Sequence, residues 1–434
     1  MAEQRVSGWG TYPSGKTNRI DWERAAPLQG MGIPRGLGRS YGDASFYSGG
    51  YTWDVRGHKA LLAWDEDRGC LVAEAGMSLY EVIQRFLPQG WFPIVVPGTQ
   101  FVTLGGAFAS NIHGKNHHRE GSFADHVEWI DLFLPSGEER RVTPADPLFW
   151  ATAGGMGLTG IITRICMRLA RIPSGYIHNQ VKKAPDWERV LLTLKEEEGK
   201  FPYAVAWLDH FHRTNRGIVH LGRWAEISSD LPAAYRKKPF RIYRGAQFGV
   251  PFTPPFRLFN SFGRAVISAW YWYRHTEEET VLPYAPYFFP LDGVQKWNRL
   301  WGYRGFLQFQ FIVPSEEGFR VIWTKLQKAP ARSFLTVVKR LGAQKGPLAF
   351  TGPGWTLAID LPNTPEMRLF LKALIDVVLA WEGKIYLTKD SLLDPQQFRG
   401  AYPEWQSFWE LKVQADPLIQ LRSDLSIRVG LTPP

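Results

Sequence analysis

Two glycine-rich stretches in the amino-terminal third carry the residue types that could hold a large anionic ligand. Pro34 to Ser45 reads PRGLGRSYGDAS, and Pro97 to His118 reads PGTQFVTLGGAFASNIHGKNHH. Gly98, Gly105, Gly106 and Gly114 lack a Cβ, so the backbone can approach a flat or charged ligand and present bare N–H groups to it. We read both stretches as wrapping one large cofactor. Gly36-Leu-Gly38 is only a fragment of a GxGxxG pattern and lacks a surrounding βαβ unit, which argues against a Rossmann nicotinamide site. Gly114 and Asn116 would break any helix aligning His113 with His117, and no HExxH pattern is present, so no metal is expected. No GxSxG elbow occurs and neither cysteine sits among charges, which leaves nucleophilic catalysis unsupported.

The elements that would position these stretches follow from periodicity. A strand is expected at Tyr51 to Val55 and another at Gly69 to Gly76, after a polar, turn-rich start with a short helix at Asp21 to Ala26. Ser78 opens a helix as N-cap, with Glu81 completing a capping box. WFPIVVPG reads as a buried strand, and the small residues from Gly105 to Ser110 as a tightly packed helix or turn. HVEWIDLFLPSGEERRVTP carries a hairpin signal, and a β-branched strand closes the first unit near Arg171. Further on, YAVAWLDHF, GFLQFQFIVP and GWTLAIDLP alternate as strands do, while Glu316 to Ala329 and Thr364 to Trp381 read as amphipathic helices. A strand carrying LTKDS and a helical tail end the chain.

Composition sets the outer limits. A chain of 434 residues with 44% hydrophobic content exceeds the size at which one core stops growing, so two domains are expected. Cys70 and Cys166 lie in apolar strand-like runs, which favours buried reduced thiols over a disulfide framework or a metal site, with a single bridge left open. The start of the chain has no apolar leader, and no stretch is long enough to span a bilayer, so a cytoplasmic or peripheral protein at the inner membrane is expected. The net charge of +10 suggests an anionic partner. Interleaved aromatics, arginines and prolines from Pro239 to Phe289 suit a lipid interface or a long apolar ligand better than a nucleic-acid groove.

Taken together, PRGLGRSYGDA, PGTxxxTLGG, NIHGKNHH and GGMGLTGII resemble the cofactor-binding set of the vanillyl-alcohol-oxidase superfamily of FAD enzymes. In detail the likeness is to the branch that oxidises decaprenylphosphoryl-β-D-ribose, and it continues through FLQFQFIVP, PGWTLAIDLP and IYLTKDS. The resemblance implies a two-domain α+β fold. Residues 1–171 would form the first part of the FAD-binding domain, 172–384 a substrate domain on an antiparallel sheet flanked by helices, and 385–434 a segment returning to the FAD domain.

Residue by residue, the loop Pro34, Arg35, Gly36, Leu37, Gly38, Arg39, Ser40, Tyr41, Gly42, Asp43 and Ala44 would hold the FAD pyrophosphate. Gly98, Thr103, Leu104, Gly105 and Gly106 would close over its other side, with His113, Ile162 and Tyr386 beside the flavin. Relatives that bond flavin covalently carry a histidine where Arg39 stands, so FAD without a covalent bond is implied. Lys389 would lie by flavin and substrate, where a cation stabilises charge on the reduced ring. Gln308, Gln310 and Lys339 would line the substrate pocket, the two glutamines sharing one sheet face, with Lys115 and Trp207 further along it. The branch's usual cysteine and asparagine are here Ala358 and Thr356, and the helix usual before the first loop is lacking.

The implied activity is oxidation of a sugar hydroxyl, C2' of a polyprenylphosphoryl-β-D-ribose, to the ketone. That is the first half of a ribose-to-arabinose epimerisation in cell-envelope synthesis, which a separate reductase would complete. The alternatives are a soluble alditol or aldonolactone oxidase and, as a lower reading, a non-catalytic basic interaction protein on this scaffold.

Overall fold

In the computed structural model, which describes residues 3–433 except 24–27, 29, 246–247 and 255–257, the β-branched and aromatic runs become three principal sheets. The first joins Gln4–Ser7 (β1), Ser14–Asp21 (β2), Gly32–Arg35 (β3) and Tyr51–Asp54 (β4) in the order β1-β2-β4-β3. Here the sequence reading needs correction, because the polar start is a strand pair. Asp21 ends β2, and the rest of the helix expected to Ala26 falls largely on residues outside those described.

The second sheet contains Leu61–Asp65 (β5), Cys70–Glu74 (β6), Trp91–Pro93 (β7), Val127–Phe133 (β8), Glu139–Val142 (β9) and Ile161–Arg171 (β10). The helix Leu79–Phe86 packs on it, with the capping box of Ser78 and Glu81 formed as expected and Leu79, Val82, Ile83 and Phe86 buried. WFPIVVPG is strand only over Trp91–Pro93. The helix Leu104–Ala109 follows, capped by the Thr103 side chain, which accepts from the Gly106 N–H. Cys70 and Cys166 are free buried thiols that converge on the Glu128 carboxylate, at 3.1 and 3.8 Å.

The third sheet is antiparallel and has eight strands. They are Tyr176–Ala184 (β11), Tyr203–Leu208 (β12), Gly217–Trp224 (β13), Glu279–Pro283 (β15), Phe306–Val313 (β17), Thr336–Leu341 (β18), Gly354–Pro362 (β19) and Lys384–Ile385 (β20), in the order β15-β11-β13-β12-β18-β19-β17-β20. A short parallel pair, Phe248–Gly249 (β14) and Val294–Gln295 (β16), stands apart. Because side chains alternate, the sheet has two unlike faces. Leu307, Phe309 and Phe311 of β17, Leu357, Ile359 and Leu361 of β19 and Val338 of β18 point into the largest core, packed by the helices Trp187–Glu197, Glu316–Leu326 and Pro365–Ala380. The residues between them face a cavity.

The chain end returns to the first sheet. Gly32 donates to Gln420 O and accepts from Arg422 N, at 2.9 and 2.8 Å. Arg428 binds Asp43 of the first glycine loop at 2.7 Å and Asp390 at 2.8 Å, both carboxylates buried. Tyr41 N also donates to Thr388 O at 2.8 Å. These bonds hold the first glycine loop against the turn that carries Lys389. That turn corrects the expected strand at LTKDS: the strand is confined to Lys384–Ile385, and Leu387–Lys389 is a 3-10 helix. Among the described residues no helix is long and apolar enough to cross a membrane.

Candidate active site

A cavity of about 1390 Å³ lies between the glycine stretches and the third sheet. Ligand pockets usually occupy roughly 300–1,000 Å³, so this one has room for more than a single small molecule. The cofactor-loop residues Pro34, Gly36, Leu37, Gly38, Arg39, Ser40, Tyr41 and Ala44 line it, as do Gly98, Thr103, Gly105, Gly106, His113, Ile162 and Tyr386. Four expected cofactor residues do not. Arg35 is spent on Ser7 O and on Ser45, Asp43 on Arg428, Leu104 is in the core, and Gly42 lets the chain pass the Asp390 carbonyl.

The loop is suited to an anion. Among the described residues, the N–H groups of Leu37, Gly38, Arg39 and Ser40 have no backbone carbonyl partner. Gly38 has φ of +63°, the left-handed conformation that turns successive N–H groups to one side. A Cβ at Gly98 would meet nothing within 4 Å, so its backbone borders open space. The guanidinium of Arg39 stacks 4.0 Å from the Trp9 ring centroid, and its Nε has no partner among the described residues. A pyrophosphate would meet these donors.

At the far end of this cradle the register of the third sheet assembles a polar cluster. Gln308 pairs with Asp360, Gln310 with Ala358, and Lys339 with Thr356 across neighbouring strands, which places them all on the cavity side. Gln310 Nε2 donates to Thr356 Oγ1 at 2.9 Å and lies 3.1 Å from His113 Nε2, while Lys339 Nζ lies 3.3 Å from His113 Nδ1. A neutral imidazole carries one N–H. With Gln310 donating to Nε2, the proton sits on Nδ1, and Lys339 receives it as a free amine. Burial, then the charges of Lys389 and Lys115, pulls Lys339 down to about 7, which makes that form accessible near neutrality. Burial, and then Lys339, also holds His113 well below its ordinary value.

Tyr386 orients the ring from one side, 5.5 Å away, with its hydroxyl bonded to Ser110 O at 2.8 Å, and Phe350 stacks on Tyr386 at 4.6 Å. Lys389 is partly buried at the base of the cluster, 5.7 Å from the Tyr41 ring centroid. Burial lowers its pKa, and the opposing influence is the carboxylate of Asp360, itself raised by burial. Asp360 is fully buried and accepts from Gln308 Nε2 at 2.5 Å. Lys115 donates to Tyr287 O and sits 4.3 Å over the Tyr287 ring, with burial drawing it to about 7. Trp207 lines the same face and donates to Phe334 O at 2.7 Å.

The sequence reading missed Asp360, since a single acidic residue in an alternating strand reads as a solvated edge. His117 is structural: Gly342 N donates to its Nδ1 at 2.9 Å, and Ser122 and Thr351 hydroxyls meet its Nε2 at 2.9 and 3.0 Å. Among the described residues the metal-type ligands that converge are Cys70, Glu128 and Cys166, within 4.8 Å of one another and outside this cavity.

An anion cradle opening onto a partly buried amine, amide and imidazole cluster suits a flavin-dependent oxidoreductase, and the comparisons with known proteins agree. Residues 28–143 match the FAD binding domain family model. The chain is 35% identical over 421 residues to decaprenylphosphoryl-β-D-ribose oxidase of Mycolicibacterium smegmatis, covering 94% of this chain and 91% of that protein. It is also 29% identical to an uncharacterised protein of the mprA 5' region of Streptomyces coelicolor, over 82% of this chain and all of that one. D-lactate dehydrogenase of Anaerostipes hadrus matches at 25% identity over 36% of this chain and 34% of its own length. The chain belongs to the decaprenylphosphoryl-β-D-ribose oxidase family of FAD-linked oxidoreductases, and FAD is its cofactor.

Proposed function

We propose that the protein oxidises the C2' hydroxyl of a polyprenylphosphoryl-β-D-ribose to the 2'-keto sugar. The observation that carries this reading is the convergence of His113, Gln310, Lys339 and Lys389 on one buried cavity that is continuous with the anion cradle. When bound, FAD supplies the hydride acceptor. Gln308 and Gln310 present amide groups to the sugar from one sheet face, which fixes which C–H is aimed at the cofactor. The Lys339–His113 pair has a free amine form near neutral pH and can take the hydroxyl proton as the C2' hydride leaves. Lys389 keeps a positive charge where negative charge builds, and Lys115 faces the cavity, where an incoming phosphate would favour its protonated form.

In this reading residues 1–171 and 385–434 form the cofactor domain and 172–384 the substrate domain. FAD is held without a covalent bond, because Arg39 occupies the position of the linking histidine. The chain touches the membrane peripherally to meet its lipid-linked sugar, and a separate NAD-dependent short-chain reductase completes the epimerisation. Incubating the FAD-loaded protein with farnesylphosphoryl-β-D-ribose and an electron acceptor, then quenching with borodeuteride, tests the reaction. Deuterium at C2' is the expected result. Oxidation of alditols or aldonolactones with no label in the phosphoryl sugar would refute it.

A further inference from the structure

The cavity extends past the polar cluster. Along the same face of the third sheet it reaches β11, β13 and β15, where the helix Ser261–Arg274 covers it. Val181 and Leu282 form its floor, and Ile267, Trp270 and Tyr271 its roof. Two polar contacts close its ends: His220 Nε2 lies 3.2 Å from the Tyr271 hydroxyl across the space, and His275 Nδ1 lies 2.8 Å from Tyr271 O at the end of the covering helix, while Asn179 Oδ1 on the floor has no partner among the described residues. What remains toward a ligand is mostly aliphatic and aromatic surface.

The covering helix is apolar on its outer side as well. Phe262, Val266, Trp270 and Tyr273 are 79%, 49%, 54% and 74% exposed. At 3.6 residues per turn they fall within less than a quarter of the circumference, so they form one outward row. Phe248 and Phe252 are likewise turned to solvent, at 71% and 67% exposure. Cations flank the row: the Arg274 guanidinium lies 4.9 Å from the Trp270 ring centroid and that of Arg216 5.6 Å from the Tyr273 ring centroid. An apolar row bordered by cations complements an anionic lipid surface, and Trp270 belongs both to that row and to the cavity wall.

We propose that the compartment beneath the 261–274 helix is a binding subsite for an isoprenoid chain. The chain passes from the bilayer over Trp270 into the cavity and leaves its phosphate near Lys115. The proposal rests on the polyprenyl-phosphate reading above and adds where the lipid is bound. It makes chain length a determinant of affinity, because each buried methylene adds up to about 0.8 kcal/mol.

The test measures calorimetric binding of dimethylallyl phosphate and farnesyl phosphate, both without sugar, to the FAD-loaded protein. The unsubstituted chain should bind farnesyl phosphate at least about tenfold more tightly. Ile267→Trp and Leu282→Trp, which fill the compartment from roof and floor, should each remove most of that difference while leaving flavin content and dimethylallyl phosphate affinity unchanged. Equal affinity of the unsubstituted chain for the two phosphates would overturn the proposal, as would a chain-length difference that survives both substitutions. Length-dependent binding without oxidation of any phosphoryl ribose would refute the function reading and leave this subsite standing.

Discussion

Asp360→Asn separates charge from shape at the centre of the site. The substitution keeps an acceptor for Gln308 Nε2, now 2.5 Å from Oδ1, and removes the carboxylate that opposes the burial of Lys389. Among the described residues the Asp360 carboxylate bonds Gln308 and makes no ion pair with Lys389 within 4.0 Å, so their attraction at an effective dielectric near 20 is below about 4 kcal/mol, or about three pK units. Its loss moves the basic limb of the pH profile that Lys389 would set to lower pH, by less than about three units. Anaerobic flavin reduction by the phosphoryl ribose, followed across pH by stopped flow, reads that limb directly. Stability should hold or rise slightly, since a buried carboxylate with an unpartnered Oδ2 is removed without changing volume. A pH profile superimposable on that of the unsubstituted protein, combined with a lower melting temperature, would show that Asp360 serves packing alone.

Three further outcomes follow from the same geometry. Acid precipitation should release all flavin into the supernatant, because Arg39 stands where a linking histidine would; flavin fluorescence retained by the pellet would contradict this. Ala358 lies on the cavity face beside Gln310, so Ala358→Cys should let a substrate-site electrophile add its mass to the protein, while the unsubstituted chain stays unmodified. Lys115 and Lys339 are both drawn to about 7 in the fold, below the ordinary 10.5. Between those values the unfolded chain binds more protons, so the melting temperature of the FAD-free protein should rise with pH from about 7 to about 10; a fall over that range would refute the burial of these amines.

Much of this was legible in the sequence where the signal was local. Ser78 and Glu81 announced a helix start, and the alternation of FLQFQFIV placed Gln308 and Gln310 on one face opposite Leu307, Phe309 and Phe311, as found. The glycine stretches pointed to a cradle because residues without a Cβ, such as Gly98, Gly105, Gly106 and Gly114, need no distant partner to be read. Signals that depend on register were hidden. Asp360 gains its meaning only by lying across from Gln308, and the tie of Asp43 to Asp390 through Arg428 joins segments hundreds of residues apart. The strand pair at the amino terminus was masked by polar side chains, since SGKTNRID forms a half-buried strand in which Ile20 is the one apolar residue. Lys389 was placed in a strand because IYLT is β-prone, whereas the chain tightens into a 3-10 turn to reach Tyr41.

The most direct measurement is the anaerobic absorbance of the FAD-loaded protein on mixing with polyprenylphosphoryl-β-D-ribose, alongside Lys389→Met. Rapid bleaching in the unsubstituted protein, with the variant still binding flavin and bleaching at least about a hundredfold more slowly, is the result expected of a cation that stabilises developing charge. Flavin that stays oxidised in the unsubstituted protein, or a variant that bleaches at the same rate, would contradict the account.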